Sequence, residues 1–255
     1  MSDAILFDVH DDAIAVITIN RPDKYNALSQ EVREGLFAAW SRFEKDDALK
    51  VAILTGAGEK AFCAGGDLKE MEALGLTVPP HDMFPVPGDN IRLSKPTIAA
   101  VNGVAFAGGW MIAQSCDLCV ASINARFAIT EAKVGRGSPW ATPLIHMIPQ
   151  RIMMEIIITG NPIDARRAYE IGLVNRLAEP GNLMEAALNF AREIIACAPL
   201  SVAAGRETVM LACEMGRSAA RRAADHVWER AYRSDDAQEG PRAFAAKRKP
   251  GWQGR

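Results

Sequence analysis

The chain has 255 residues, 49% hydrophobic and 24% charged, the balance of a globular protein large enough for one sizeable core. A formal net charge of −2 supplies no overall field for nucleic acid or an anionic membrane, and neither is expected as a partner. No apolar run reaches the roughly 18 residues a membrane helix needs, and Met1 to Phe7 lack the pattern of a secretory leader, so a cytoplasmic location is expected.

In chain order, Ile14 to Asn20 reads as a strand that ends at the Asn20-Arg21-Pro22-Asp23 turn. Ser29 is placed to N-cap a helix carrying Val32, Leu36, Trp40 and Phe43 on one face. Lys50 to Gly56 is the next strand, and Asp67 to Ala73 a short helix. The proline-rich stretch 75–90 predicts a mobile loop or lid. A strand at 97–101, a helix from about Gly108 and a strand through Asp117 to Ala121 follow. From Pro149 the pattern turns to helix after helix, with apolar positions three or four apart in 183–196, 200–214 and 218–233. His146 reads as a helix-packing residue.

Strands alternating with helices predict an α/β fold with a mostly parallel sheet. The expected division is a β/α core at 1–195 and a helical segment at 196–255 that covers the core or another subunit. Of five cysteines, only Cys116 and Cys119 are close in sequence, with no second pair or nearby histidine. No metal is expected, and the thiols are expected to be reduced and mostly buried.

Two glycine-bearing turns stand out, Phe62-Cys63-Ala64-Gly65-Gly66-Asp67-Leu68 and Asn102-Gly103 through Ala107-Gly108-Gly109-Trp110. Each follows a strand-like run and leads into a helix, whose first N–H groups have no partner within the helix. Small residues let a ligand approach such a backbone closely. Two of these turns side by side would aim two N–H donors at one oxygen, the geometry that stabilises an oxyanion.

These turns, together with Asn20-Arg21-Pro22, Asn26-Ala27-Leu28, Lys95-Pro96, Cys116-Asp117-Leu118 and Phe127 to Glu131, make the chain similar to the crotonase superfamily, the enoyl-CoA hydratase/isomerase group. The resemblance runs through nearly the whole length, to Ala237–Pro250. It implies a spiral of ββα turns with a C-terminal helical trimerisation segment, and a homotrimer or dimer of trimers. It implies an acyl-CoA substrate, with coenzyme A as part of the substrate and no separate cofactor. By position it assigns the oxyanion donors to the amides of Ala64 and Gly108. Ala64, Gly65, Gly66, Asp67 and Leu68 would line the acyl-CoA site, Lys24 and Ala27 would contact the nucleotide end, and Phe244 and Lys247 would reach a neighbouring subunit's CoA. Asp117 falls in a structural motif of the family.

Family hydratases use two glutamates around one water. Glu131 matches the second, whereas Met111 stands where the first belongs, beside Trp110. A thioether exchanges no protons, and the apolar pair would narrow and dry the pocket, raising the pKa of a lone carboxylate. One carboxylate suffices to move a proton between carbons, so double-bond isomerisation or an atypical hydration is expected, with Glu131 as acid/base. His81 and Asp82 in the loop are candidate auxiliary groups. Trp140, in Gly135 to Trp140, would form the far wall of the acyl pocket. The alternatives are a non-catalytic acyl-CoA-binding protein and a CoA-thioester hydrolase or decarboxylase on the same frame.

Overall fold

The computed structural model describes residues 3–255. Strands β1 (Ile5–His10) and β2 (Ile14–Ile19) form a hairpin closed by Asp11 and Asp12 at φ 51° and 53°. Aspartate tolerates the left-handed region that a two-residue hairpin turn requires. Helix α1 (Gln30–Lys45) starts at Ser29, whose hydroxyl accepts the Val32 N–H as the sequence predicts.

A repeating unit follows, of a long strand, a short strand and a helix. The first unit is β3 (Val51–Gly56), β4 (Ala61–Cys63) and α2 (Leu68–Ala73). The second is β5 (Thr97–Val101), β6 (Val104–Phe106) and α3 (Gly108–Gln114). Then come β7 (Leu118–Ser122) and β8 (Arg126–Ala128), with Glu131 opening the 3-10 turn Glu131–Val134. The C-terminal part contains α4 (Gln150–Thr159), β9 (Ile163–Asp164), α5 (Ala165–Glu170), β10 (Arg176–Ala178), α6 (Leu183–Ile195), α7 (Pro199–Glu214), α8 (Arg217–Tyr232) and α9 (Asp236–Ala245).

The long strands make one sheet in the order β1-β2-β3-β5-β7-β10, parallel from β2 onward, and the short ones make a second in the order β4-β6-β8-β9. The chain spirals between the two sheets, the crotonase arrangement.

Both faces of the large sheet are covered, so its central strands are apolar throughout rather than alternating. On one face Ile17, Leu36, Trp40, Phe43, Phe62 and Phe127 share a core with α1 and the small sheet. On the other, Ile14, Val51, Ile53, Ile98 and Val120 pack against Leu183, Ala187, Leu188 and Ala191 of α6. Asp117 fastens α7 to this body. One carboxylate oxygen accepts the Thr97 N–H and hydroxyl at 2.9 and 3.0 Å, and the other accepts Arg206 Nε at 2.7 Å.

Several features differ from the sequence reading. The glycine turns follow the short strands β4 and β6 rather than β3 and β5, because three-residue strands give too little pattern to separate from a turn. Strand β1 was not anticipated, and β9 and β10 interrupt the stretch read as purely helical. His146 is exposed at the end of a 3-10 helix and packs no interface between helices. The 75–90 loop is irregular and is pinned by Asn90, whose side chain accepts the Val86 N–H and donates to the His81 and Phe84 carbonyls.

Cys63, Cys116 and Cys119 are buried, Cys197 and Cys213 exposed, and all five are free thiols. Burial pushes Cys63 and Cys119 up to about 12, which keeps them protonated and inert. No single helix among the described residues is long and apolar enough to cross a membrane.

Gly109 marks the tightest approach between units. A Cβ there would stand 1.9 Å from the Cys63 carbonyl oxygen. Replacing Gly109 with Ala is expected to destabilise the fold by about 3 kcal/mol or more, since backbone must move to admit it. Urea denaturation is the check, and an unchanged midpoint would contradict this packing.

Candidate active site

Strands β4, β6 and β8 run parallel and adjacent, with Cys63 paired to Ala105 and Phe106 to Ala128. Their C-terminal ends therefore lie side by side. Three turns emerge there, 64–67, 107–108 and 129–131, at the edge where open α/β sheets bind ligands.

The first turn is shaped by Gly65, at φ 105°, and by the loop preceding α1. In that loop Tyr25 and Asn26 adopt left-handed conformations, and the buried Asn26 side chain accepts the Arg21 N–H and donates to the Ala57 and Ala61 carbonyls. The loop then grips the glycine turn from both sides. The Ala64 N–H donates to the Tyr25 carbonyl at 3.0 Å, and the Leu28 N–H donates to the Gly65 carbonyl at 2.8 Å.

The Ala64 amide, expected as an oxyanion donor, is therefore engaged within the fold. Among the described residues no hydrogen bond is made by the Gly66 N–H or the Gly108 N–H, and the two glycines adjoin, a Cβ on Gly108 lying 3.6 Å from Gly66 N. The unbonded pair is thus Gly66 and Gly108, and nothing in the motif shows which N–H the loop consumes.

Ala107 aims the second amide. Its backbone sits at φ 50°, ψ −125°, a conformation that costs an alanine roughly 1–3 kcal/mol. It is held there by its own N–H on the Ala128 carbonyl, at 2.9 Å, and by the Met111 N–H on its carbonyl, at 3.1 Å.

Glu131 is buried. One carboxyl oxygen accepts the Trp140 indole N–H at 2.9 Å, while the other is buried with no partner among the described residues. Burial raises its pKa above the ordinary glutamate range, with the Trp140 bond opposing the rise. Trp140 is in turn fixed by Gln114, at the far end of α3, whose amide donates to the Trp140 carbonyl at 2.7 Å. Trp140 was expected as a pocket wall, and its hydrogen bond to the acid, like the part of Gln114, was not legible in sequence.

The remaining candidates divide. Met111 is buried one helical turn beyond Gly108, and no acidic residue occurs on α3. Trp110 is fully buried edge-on to Phe127, ring centres 5.7 Å apart. Its ring packs against β8, and its indole N–H has no partner among the described residues. Asp67 precedes α2 and pairs with Arg21 at 3.4 Å, while Leu68 is exposed. Lys24 is exposed, and Ala27 is half-buried with its carbonyl accepting Arg21 Nη1. His81 pairs with Asp89 at 3.2 Å in the exposed loop, beside an exposed Asp82. Phe244 and Lys247 are exposed on α9 and the turn after it. No cluster of His, Cys, Asp and Glu suited to a metal occurs among the described residues.

A two-sheet spiral with two unbonded amides and a buried, half-satisfied carboxyl on neighbouring turns is the class of protein whose groups can polarise a carbonyl and move a proton. The comparisons narrow the class. The family model described as enoyl-CoA hydratase/isomerase matches residues 10–255. The (E)-benzylidenesuccinyl-CoA hydratase of Thauera aromatica is 36% identical over 247 residues, 94% of this chain and 96% of that one. The carnitinyl-CoA dehydratase of Proteus mirabilis (strain HI4320) is 38% identical over 254 residues, 95% and 96% of the two chains. The crystal structure of an enoyl-CoA hydratase from Mycobacterium tuberculosis H37Rv superimposes with a TM-score of 0.89 at 36% identity, covering 100% of both chains. This chain belongs to the enoyl-CoA hydratase/isomerase family, enzymes acting on acyl-CoA thioesters.

Replacing Trp140 with Phe is expected to shift the titration of Glu131 upward by about one pH unit, since a hydrogen bond to a charged acceptor is lost. Infrared titration of the carboxylate measures this directly, and a downward shift would contradict the pairing.

Proposed function

We propose that the enzyme moves a double bond along an enoyl-CoA thioester, with the Gly66 and Gly108 amides holding the thioester oxygen and Glu131 as the single acid/base. The observation that carries this reading is the Glu131 carboxyl, with one oxygen tied to Trp140 and the other buried and unpartnered. Hydrogen bonds to the thioester oxygen stabilise the charge that develops when the α-carbon loses a proton. The free Glu131 oxygen takes that proton from C2 of a 3-enoyl thioester, the electrons delocalise into a dienolate, and the same oxygen returns the proton to C4. The product is the 2-enoyl thioester, and no cofactor is required beyond the CoA the substrate carries.

Hydration is the second reading, favoured by the names of the hydratase and dehydratase relatives. It requires a second group to hold water, and Met111 supplies none. Both readings seat the nucleotide end of CoA against the Lys24–Ala27 loop. Residues 196–255 act as the oligomerisation segment of a cytoplasmic trimer or dimer of trimers, where Phe244 and Lys247 meet a neighbour's CoA. The exposed Val209, Tyr232 and Phe244 on α7 to α9 support a covered surface there.

Incubation with 2-enoyl-CoA and 3-enoyl-CoA panels, followed by chromatography, separates these readings from mere binding. Glu131→Gln is expected to lower turnover at least 100-fold. Its thermal midpoint is expected at or above that of the parent, because a pKa higher in the folded than the unfolded state means that ionising Glu131 at neutral pH opposes folding. Wild-type turnover in this variant would exclude Glu131 as the acid/base. Met111→Glu places a carboxyl one turn from Gly108 and is expected to raise hydration relative to isomerisation about tenfold or more, at a cost in stability measured by melting. An unchanged product ratio would count against Met111 as the determinant.

A further inference from the structure

A cavity of about 240 Å³ opens between α2 and the turn that carries Glu131. Leu68, Met71, Leu76 and Val134 give it apolar walls, and Glu72 and Arg136 are its charged lining residues. One wall, Met71, touches the first glycine turn, since a Cβ on Gly66 would stand 3.0 Å from its sulfur. The cavity ends in the turn of the acid, where the Arg136 N–H donates to the Glu131 carbonyl at 2.9 Å. Its walls are anchored, because Arg33 of α1 pairs with Glu70 of α2 at 2.7 Å.

Arg136 is the anomaly. One arm of its guanidinium donates to the Leu76 carbonyl at 2.9 Å. The other terminal nitrogen is buried and has no partner among the described residues. Glu72 lines the same cavity yet is exposed and forms no ion pair with it, and no other carboxylate among the described residues does so. A guanidinium is a permanent cation, and a buried donor left without a partner carries a desolvation penalty. The unmatched group therefore asks for an anionic acceptor from outside the chain.

Resting on the thioester reading above, we infer that the acyl group carries a second carboxylate, so that the substrate is the CoA thioester of an unsaturated dicarboxylic acid and Arg136 binds its free end. With the thioester oxygen on Gly66 and Gly108, the acyl chain runs along Leu68, Met71, Leu76 and Val134 toward the guanidinium. A carboxylate suits the planar fork of arginine better than any neutral end group.

The test uses enoyl-CoA thioesters of graded length, each in a methyl-ended and a carboxylate-ended form. At the best length kcat/KM is expected to favour the carboxylate at least tenfold. That ratio is expected to fall about 100-fold in Arg136→Leu, with Arg136→Lys between the two. Equilibrium binding of the same pairs to Glu131→Gln gives the preference independently of turnover. A wild-type preference for methyl ends at every length overturns the inference, as does a ratio unmoved in a folded Arg136→Leu protein. If neither form binds, or if Glu131→Gln turns over both at the wild-type rate, the thioester reading itself falls. If turnover depends on Glu131 while the ratio ignores Arg136, only the carboxylate assignment falls.

Discussion

The site depends on how closely the second ββα unit can lie on the first. Gly109 has no side chain to hold the start of α3 away from the Cys63 carbonyl, and any Cβ there would overlap backbone. That approach sets Gly108 beside Gly66. A hydrogen-bond donor pair acts on one oxygen only when both N–H groups reach it at about 3 Å, so a shift of one ångström between the units would leave two unrelated helix starts. The strained backbone of Ala107 serves the same end, trading local stability for the direction of one amide.

The acid is arranged with comparable economy. Burial raises the pKa of Glu131 but gives its carboxyl no defined orientation. The indole of Trp140 restrains one oxygen and moderates the rise in pKa, and Gln114 holds the backbone of Trp140. A single helix thus begins with the unbonded Gly108 amide and ends with Gln114, which holds the residue bonded to the acid, and Met111 between them is apolar.

Legibility in the sequence followed the length of each pattern. The paired strands β3, β5 and β7 and the long amphipathic helices were visible, because a continuous apolar run of five or more residues or a sustained 3.6-residue spacing forms a signal. Strands β4, β6 and β8, three residues each, were not, although they carry the site on their C-terminal ends. The engagement of the Ala64 N–H was not legible either, because it is taken by Tyr25 across a loop far away in sequence. Trp110 was placed in the pocket by its proximity to Met111, yet adjacent helical residues point in different directions, and it faces Phe127.

What the sequence determined by itself was the kind of fold and the presence of glycine turns with one acid, since those follow from local steric and hydrophobic preferences of consecutive residues. Only the tertiary structure decided which amides remain free, which oxygen of Glu131 is left to act, and that Arg136 faces an apolar cavity unmatched. Each of these depends on a hydrogen bond, or the lack of one, involving residues from separate segments, and such pairings arise only when the two sheets close on each other.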